Sequence, residues 1–371
     1  MKIKQLLFIP LLFMTTSCVG EITSISPTEL PSSNTSSSES STTEDINMKY
    51  EMKNYTNPIA PDCADPSVVR DSDGMYYIYG TGGVAYKSHN MIDFIELPRI
   101  ARTVAWGATT NSIWAPDVVK IGNTYNYYYS NSGWGTVDNA GIGVMTSSNP
   151  YGPFTDLGKI FTGDEIGVKN SIDSCVYYGE DGKLYMMWGS FMGNYVVELN
   201  EDGLSLKDGE NAKNTKILVA GIVGNWNGST YEGSYVIKKD GYYYLFVSSG
   251  KCCEGINSTY HVRVARSLSP TGPFVNIANK DMLGEERGEL IIKGTTSGIV
   301  GPGHNSIFID DAGEYWLLAH GYDSKDISKN RQLVMERLHF RLNGFPYIKN
   351  KGQFMTYDVP ILGPKILKKG E

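Results

Sequence analysis

Three carboxylates and an imidazole occupy one repeated place in this 371-residue chain. Asp65, Asp173, Glu232 and His304 each stand nine residues before a turn glycine, Gly74, Gly182, Gly241 and Gly313. Brought together, the three acids could not all keep ordinary proton affinities, because neighbouring like charges raise one another's pKa. One carboxyl would then hold a proton near neutral pH while another stayed ionised. That is the requirement for cleaving a glycosidic bond, with an acid for the leaving oxygen and a carboxylate to activate water or attack the sugar. An oxygen cage for calcium is the main chemical rival. No phosphate loop, nucleotide fingerprint or serine elbow competes, since the glycine-rich Gly80 to Gly83 lacks the strand-to-helix setting those motifs need.

The elements that must bring the four residues together are visible in the phrases around them. ADPSVVRDSDGMYYIYG, IDSCVYYGEDGKLYMMWGS, YEGSYVIKKDGYYYLFVSS and GHNSIFIDDAGEYWLLAHG each read as a short apolar strand, a turn with Gly and a second strand rich in Tyr. A fifth copy, APDVVKIGNTYNYYYS, turns at Gly122 with one residue fewer before its tyrosines. Five copies at roughly 50 to 70 residues predict an all-β chain, a five-bladed β-propeller with four-stranded antiparallel blades. First strands of the blades line the channel, so equivalent positions converge on one mouth. The fifth position, near Ala115, carries no charge. SSNPYGPFTDLG and RSLSPTGPFVNIA are expected to supply outer strands, and the paired tyrosines to pack between blades.

The net charge of −7 and the lack of a Lys/Arg cluster argue against nucleic acid and favour a neutral ligand. Residues 1–17 read as a signal peptide of the lipoprotein type: Lys2 and Lys4, an apolar run from Leu6 to Met14, then small residues before Cys18, which would carry the lipid. Residues 18–48 form a Ser/Thr-rich tether and 49–371 the propeller. A monomer held at the outer membrane or cell surface is expected, with a periplasmic or secreted protein as the alternative. Cys63, Cys175, Cys252 and Cys253 have no zinc spacing, and the adjacent pair is read as two packed free thiols.

NPIAPDCADPSVV, WAPDV, NSIDS, YEGSYVIKKDGYYYLFVS, CCEGINSTYHVRVARSLSPTGPF and GPGHNSIF, spread from about Asn57 to about Asp323, together resemble glycoside hydrolase family 43. The likeness is greatest to its arabinan-degrading endo-1,5-α-L-arabinanases. It implies inversion, with Asp65 as general base, Glu232 as general acid and Asp173 orienting the acid and keeping its pKa raised. It also implies that His304 reaches a calcium ion in the channel, with water completing the shell. Ala64 and Ser174 depart from the family pattern, where a histidine and a proline are frequent. Trp106, Trp114, Trp134 and Trp226 are candidate sugar platforms, and Asn170 and Ser306 candidate hydrogen-bond donors to sugar. The expected activity is internal cleavage of α-1,5-linked arabinan. Exo-arabinanase, α-L-arabinofuranosidase, β-xylosidase and a non-catalytic glycan-binding propeller are the alternatives.

Overall fold

The computed structural model describes residues 55–224, 230–349 and 360. The signal, Cys18, the tether and Trp226 lie outside them. Strand β1 (Ile59–Asp62) is followed by a first blade of β2 (Ser67–Arg70), β3 (Tyr76–Gly80), β4 (Val84–Ser88) and β5 (Ile95–Glu96). Blade 2 is β6 (Trp114–Ile121), β7 (Thr124–Asn131), β8 (Gly141–Ser147) and β9 (Thr155–Thr162). Blade 3 is β10 (Cys175–Tyr178), β11 (Leu184–Trp188), β12 (Asn194–Leu199) and β13 (Ile217–Ala220). Blade 4 is β14 (Tyr231–Lys239), β15 (Tyr242–Ser249), β16 (His261–Ser267) and β17 (Glu289–Lys293). In blade 5, β18 (Ile299–Ile309), β19 (Tyr315–Asp323) and β20 (Gln332–Phe340) take β1 as their outer strand.

That last pairing, antiparallel with Ile59 opposite Leu333, joins the beginning of the propeller to its end. The ring is closed by side chains. One apolar cluster fills each interface between consecutive blades, and the cluster of Tyr76, Ile78, Phe308, Trp316 and Leu333 joins the fifth blade to the first. The period of two in a strand sends alternate residues to opposite neighbours. Thus Tyr76 and Ile78 face blade 5, whereas Tyr77 and Tyr79 face blade 2. The tyrosines are interblade residues, as their recurrence predicts. Several reach across with the hydroxyl, Tyr76 to the carbonyl of Ile309 at 3.2 Å and Tyr235 to that of Ile307 at 3.2 Å.

Two expectations are corrected. Cys252 and Cys253 are joined as a vicinal disulfide in the loop between β15 and β16, where Cys253 turns the backbone back with φ 68°. Past Arg266 and Ser267, which end β16, the segment RSLSPTGPFVNIA makes only isolated bridges, from Val275 to Arg266 and to Asp281, and Glu289–Lys293 supplies the outer strand instead. Phe274 of that segment is buried in the interface between blades 3 and 4.

Candidate active site

At equivalent places in or just before the five inner strands one residue lies in the left-handed region: Asp65 (φ 55°), Ala115 (40°), Asp173 (62°), Gly233 (58°) and His304 (48°). With the bonded pairs Asp71–Met75, Gly179–Lys183 and Asp310–Glu314 counted as last rungs, this residue lies in every blade seven positions before the first residue of the β-hairpin loop, namely Ser72, Gly122, Glu180, Asp240 and Asp311. Blades 2 and 4 close with two-residue loops and the other three with longer ones, so counting from the turn glycine misaligns blade 4 by one. Glu232 therefore stands one residue off the ring that Asp65, Asp173 and His304 occupy.

A left-handed backbone at a residue with a Cβ costs on the order of 1 kcal/mol or more and persists only where its surroundings hold it. Here the next strand end holds it. The N–H of Asp65 donates to His320 Nδ1 (3.0 Å), that of Ala115 to Thr81 Oγ1 (2.9 Å), that of Asp173 to Ser130 Oγ (2.9 Å) and that of His304 to Ser248 Oγ (2.8 Å). Each acceptor lies at or near the end of the second strand of the preceding blade. The fifth position breaks the pattern: Gly233 N–H donates to Asp173 Oδ2 (3.1 Å), Gly189 occupies the acceptor's place, and Ser190, one residue past it, donates its hydroxyl to Glu232 Oε2 (2.7 Å). The pattern that fixes four backbones thereby fixes a carboxylate in the fifth blade interface, and it ties Asp173 to the residue beside Glu232.

The three acids are all nearly buried, yet their proton affinities diverge. Burial alone would raise Asp65. Arg331 Nη1 at 3.1 Å from Oδ1 outweighs it and holds this carboxyl well below the usual range, while His304 Nδ1 at 3.5 Å and His320 Nδ1 at 3.2 Å flank the same oxygen. Thr81 Oγ1 adds a hydrogen bond of 2.5 Å to Oδ2. Asp173 goes the other way, pushed well above the carboxylate range by burial and then by Glu232 and Asp65. Glu232 is raised mainly by burial, against the opposing hydroxyls of Ser190 and Tyr260. Two buried carboxyls so placed hold a proton between them at pH values where Asp65 is ionised. Burial pushes His320 down to about 4 and lowers His304 as well, so both imidazoles are neutral near pH 7.

The other sequence candidates fall in different places. Trp114 opens β6 beside Ala115, and its ring lies 5.5 Å from that of Trp134, which is 77% exposed. The indole N–H of Trp106 donates to Tyr129 inside blade 2, and its ring lies over Gly141 and Gly143. Asn170 is buried and donates to the carbonyl of Ser190, so it supports the partner of Glu232. Ser306 is fully buried two residues down the strand from His304, out of reach of a ligand at the mouth. Arg331, His320, Thr81, Ser190 and Tyr260 were not singled out from the sequence. Four of these share a signal with the carboxylates: Thr81, Ser190 and His320 end second strands, and Tyr260 lies in the STYHV portion of a family-like phrase. Arg331, just before β20, belongs to no repeat.

Calcium takes six to eight oxygen ligands. At His304 the neighbours of Nδ1 are Asp65, whose Oδ1 already faces a guanidinium, and Asp173 Oδ2 at 4.0 Å. Among the described residues no group of three or more His, Cys, Asp and Glu side chains is arranged to hold a metal ion. An ion reached by His304 would take most of its ligands from water, and the chemistry below is derived from the side chains alone.

Comparison with known proteins agrees with this geometry. The model of the glycosyl hydrolases family 43 matches residues 55–346. An extracellular exo-α-(1→5)-L-arabinofuranosidase of Cellvibrio japonicus is 29% identical over 307 residues, 78% of this chain and 87% of that protein. An extracellular endo-α-(1→5)-L-arabinanase of Thermotoga petrophila is 29% identical over 312 residues, 69% of this chain and 64% of that one. Among solved structures, the α-L-arabinanase of Cellvibrio cellulosa complexed with arabinohexaose superimposes with a TM-score of 0.69 at 28% identity, covering 79% of this chain and 96% of that one. On the family match over its propeller, the chain belongs to the glycosyl hydrolases family 43.

Proposed function

We propose that the protein hydrolyses α-1,5-linked L-arabinan from within, by inversion. The observation that carries the reading is the divergence of the buried carboxyls, with Asp65 held ionised beside Arg331 and a proton retained on the Asp173–Glu232 side. In this scheme Asp65 takes a proton from water as the water oxygen bonds to the anomeric carbon. Glu232 gives its proton to the glycosidic oxygen as the carbon–oxygen bond breaks, and the product has the opposite anomeric configuration. Asp173, whose Oδ2 accepts from Gly233 N–H, holds the acid's backbone and disfavours ionisation of Glu232 before the transfer. Arabinan as substrate is supported by the names of the relatives, an arabinofuranosidase and an arabinanase.

Exo action is the second reading, favoured by the exo-acting Cellvibrio relative, which this chain covers over more of its length than the endo-acting Thermotoga protein. Following product size on linear arabinan decides between them. A ladder of oligosaccharides at early times supports internal cleavage, whereas immediate release of arabinose alone, or of a single short product, overturns it. Binding of arabinan with no cleavage would instead mark a glycan-binding propeller. Export is supported by the description of both relatives as extracellular. Anchoring through Cys18 is tested by Cys18→Ser, which should move the protein from the membrane fraction to the soluble one.

A further inference from the structure

Four of the five blade interfaces share one latch, in which a side chain near the end of a second strand accepts the ring-position N–H of the next blade. Blade 3 has no room for it. The latch place there is Gly189, with φ 131°, and a Cβ would stand 2.2 Å from the carbonyl oxygen of Gly193. The hydroxyl comes one residue later, on Ser190, and meets Glu232 Oε2 at 2.7 Å instead of a backbone N–H. The peptides on both sides of that hydroxyl are tied down. Gly189 N–H donates to the carbonyl of Ile172 (2.9 Å), and the Gly189 carbonyl accepts from Asn194 Nδ2 (3.0 Å). The carbonyl of Ser190 accepts from Asn170 Nδ2 (3.1 Å) and from Met192 N–H (2.7 Å). Phe191 N–H donates to the carbonyl of Tyr231 (2.9 Å), the residue before Glu232. Inside this clamp Ser190 is 1% exposed.

We infer that Ser190 is the positioning residue of the acid: its clamped hydroxyl donates to Glu232 Oε2 and leaves Oε1 as the oxygen that carries the transferable proton. The inference rests on the assignment of Glu232 as proton donor. In the protonated acid Oε2 is the carbonyl oxygen and takes an ordinary hydrogen bond. Once the proton has passed from Oε1 to the glycosidic oxygen, Oε2 shares the negative charge, and the same bond becomes charge-assisted and roughly twice as strong. Ser190 therefore stabilises the acid's conjugate base as it forms, against the burial that raises Glu232. The charged and titratable groups around this carboxyl are Asp173 and Asp65 before the inner strands of blades 3 and 1, His304 against Gly233, Arg331 before β20 and Tyr260 just before β16. Removing the Ser190 hydroxyl substitutes none of them.

Ser190→Ala keeps the backbone bonds of the clamp and removes only the hydroxyl. The alkaline limb of kcat/KM, set by loss of the acid's proton, should move up by about 0.5 to 1 pH unit. On arabino-oligosaccharides kcat should fall about tenfold with KM within about twofold, and an aryl arabinofuranoside whose leaving group needs no proton should lose less than about twofold. Asn170→Gly is the second variant, and it decides alone if Ser190→Ala does not fold. Glycine adopts the left-handed backbone of Asn170 (φ 53°), so only the amide that holds the Ser190 carbonyl is lost. The limb should move the same way by about half as much. An alkaline limb that stays in place, or equal losses on the two substrates with unchanged Tm, would leave Ser190 as packing alone and overturn the inference. A wild-type protein without hydrolytic activity would instead defeat the functional reading itself, and the inference with it.

Discussion

Two corners of one channel mouth hold carboxyls at similar depth and give them opposite properties. Around Asp65 stand a guanidinium, two imidazoles and a threonine hydroxyl. Around Glu232 the hydrogen-bonding partner is the hydroxyl of Ser190 at 2.7 Å, with another acid, Asp173, close by. The repeat supplies both corners with the same strands and the same left-handed turn, so the fold is not the source of the difference. It comes from Arg331, which the repeat does not contain and whose guanidinium lies 3.1 Å from Asp65, against the neutral hydroxyl of Ser190 at Glu232. Depth in the channel makes each carboxyl sensitive to its partners. The charge of those partners decides which way it moves.

The largest effect should come from removing either carboxyl, and the leaving group tells them apart. Glu232→Gln and Asp65→Asn should each lower kcat/KM on arabino-oligosaccharides by about 10²- to 10⁴-fold. With an aryl arabinofuranoside carrying an acidic phenol, Glu232→Gln should regain most of its loss and Asp65→Asn little. The reverse pattern would exchange the two roles and break the contrast between the corners.

Arg331→Gln tests the Asp65 corner directly. Because the native carboxyl is held below its unfolded value, its interactions stabilise the fold above the unfolded pKa, and that contribution is lost as pH falls through the native value. Without the guanidinium, burial dominates and Asp65 rises. The acid limb of kcat/KM should therefore move to higher pH by about one unit. An acid limb that stays in place would show that Arg331 is not what keeps Asp65 ionised.

The sequence makes the propeller and its mouth legible because they are periodic. Hairpin glycines and strand tyrosines recur, and any residue at a fixed distance from them is placed by symmetry. That symmetry also misleads at Glu232, since Asp240-Gly241 closes a two-residue loop where blades 1, 3 and 5 have longer ones, and a count from the glycine shifts by one. Thr81 and His320 obey a second register that could have been aligned in the same way, and Ser190 stands one residue past it, after Gly189. Arg331 could not, because it comes from the strand order in which β1 completes the last blade, a contact between residues far apart in the chain. The vicinal disulfide is equally unreadable, since it depends on a loop conformation that CC alone does not specify.

Asp117 offers a control outside the site. It lies two residues below Ala115 and is buried like the catalytic candidates, but its donors are the N–H of Val176 at 2.7 Å and the hydroxyl of Ser67 at 3.5 Å, and no cation reaches it. Burial raises it to about 7, as neutral surroundings should. Since the native acid binds its proton more tightly than the unfolded chain does, stability falls as pH rises from about 4 to about 7. Asp117→Asn should abolish that slope and stabilise the protein at pH 8 by roughly 2 to 4 kcal/mol, read from urea unfolding at several pH values. A slope of unchanged size would mean that depth alone does not raise a carboxyl here, and the reading of Glu232 would weaken with it.

The smallest effect should come from the wall that separates the two corners. Blade 2 places Ala115 at the ring position and the paired rings of Trp114 and Trp134 beside it, so this side of the mouth can bind a sugar face but cannot move a proton. Trp134→Ala removes the exposed member of the pair. An aromatic platform contributes about 1 kcal/mol, so KM for linear arabinan should rise about fivefold. kcat and both limbs of the pH profile should stay where they were. A displaced limb would mean that the wall takes part in setting the acids, and the division between a proton-handling side and a binding side would have to be redrawn around Thr81, which accepts from Ala115 N–H and donates to Asp65.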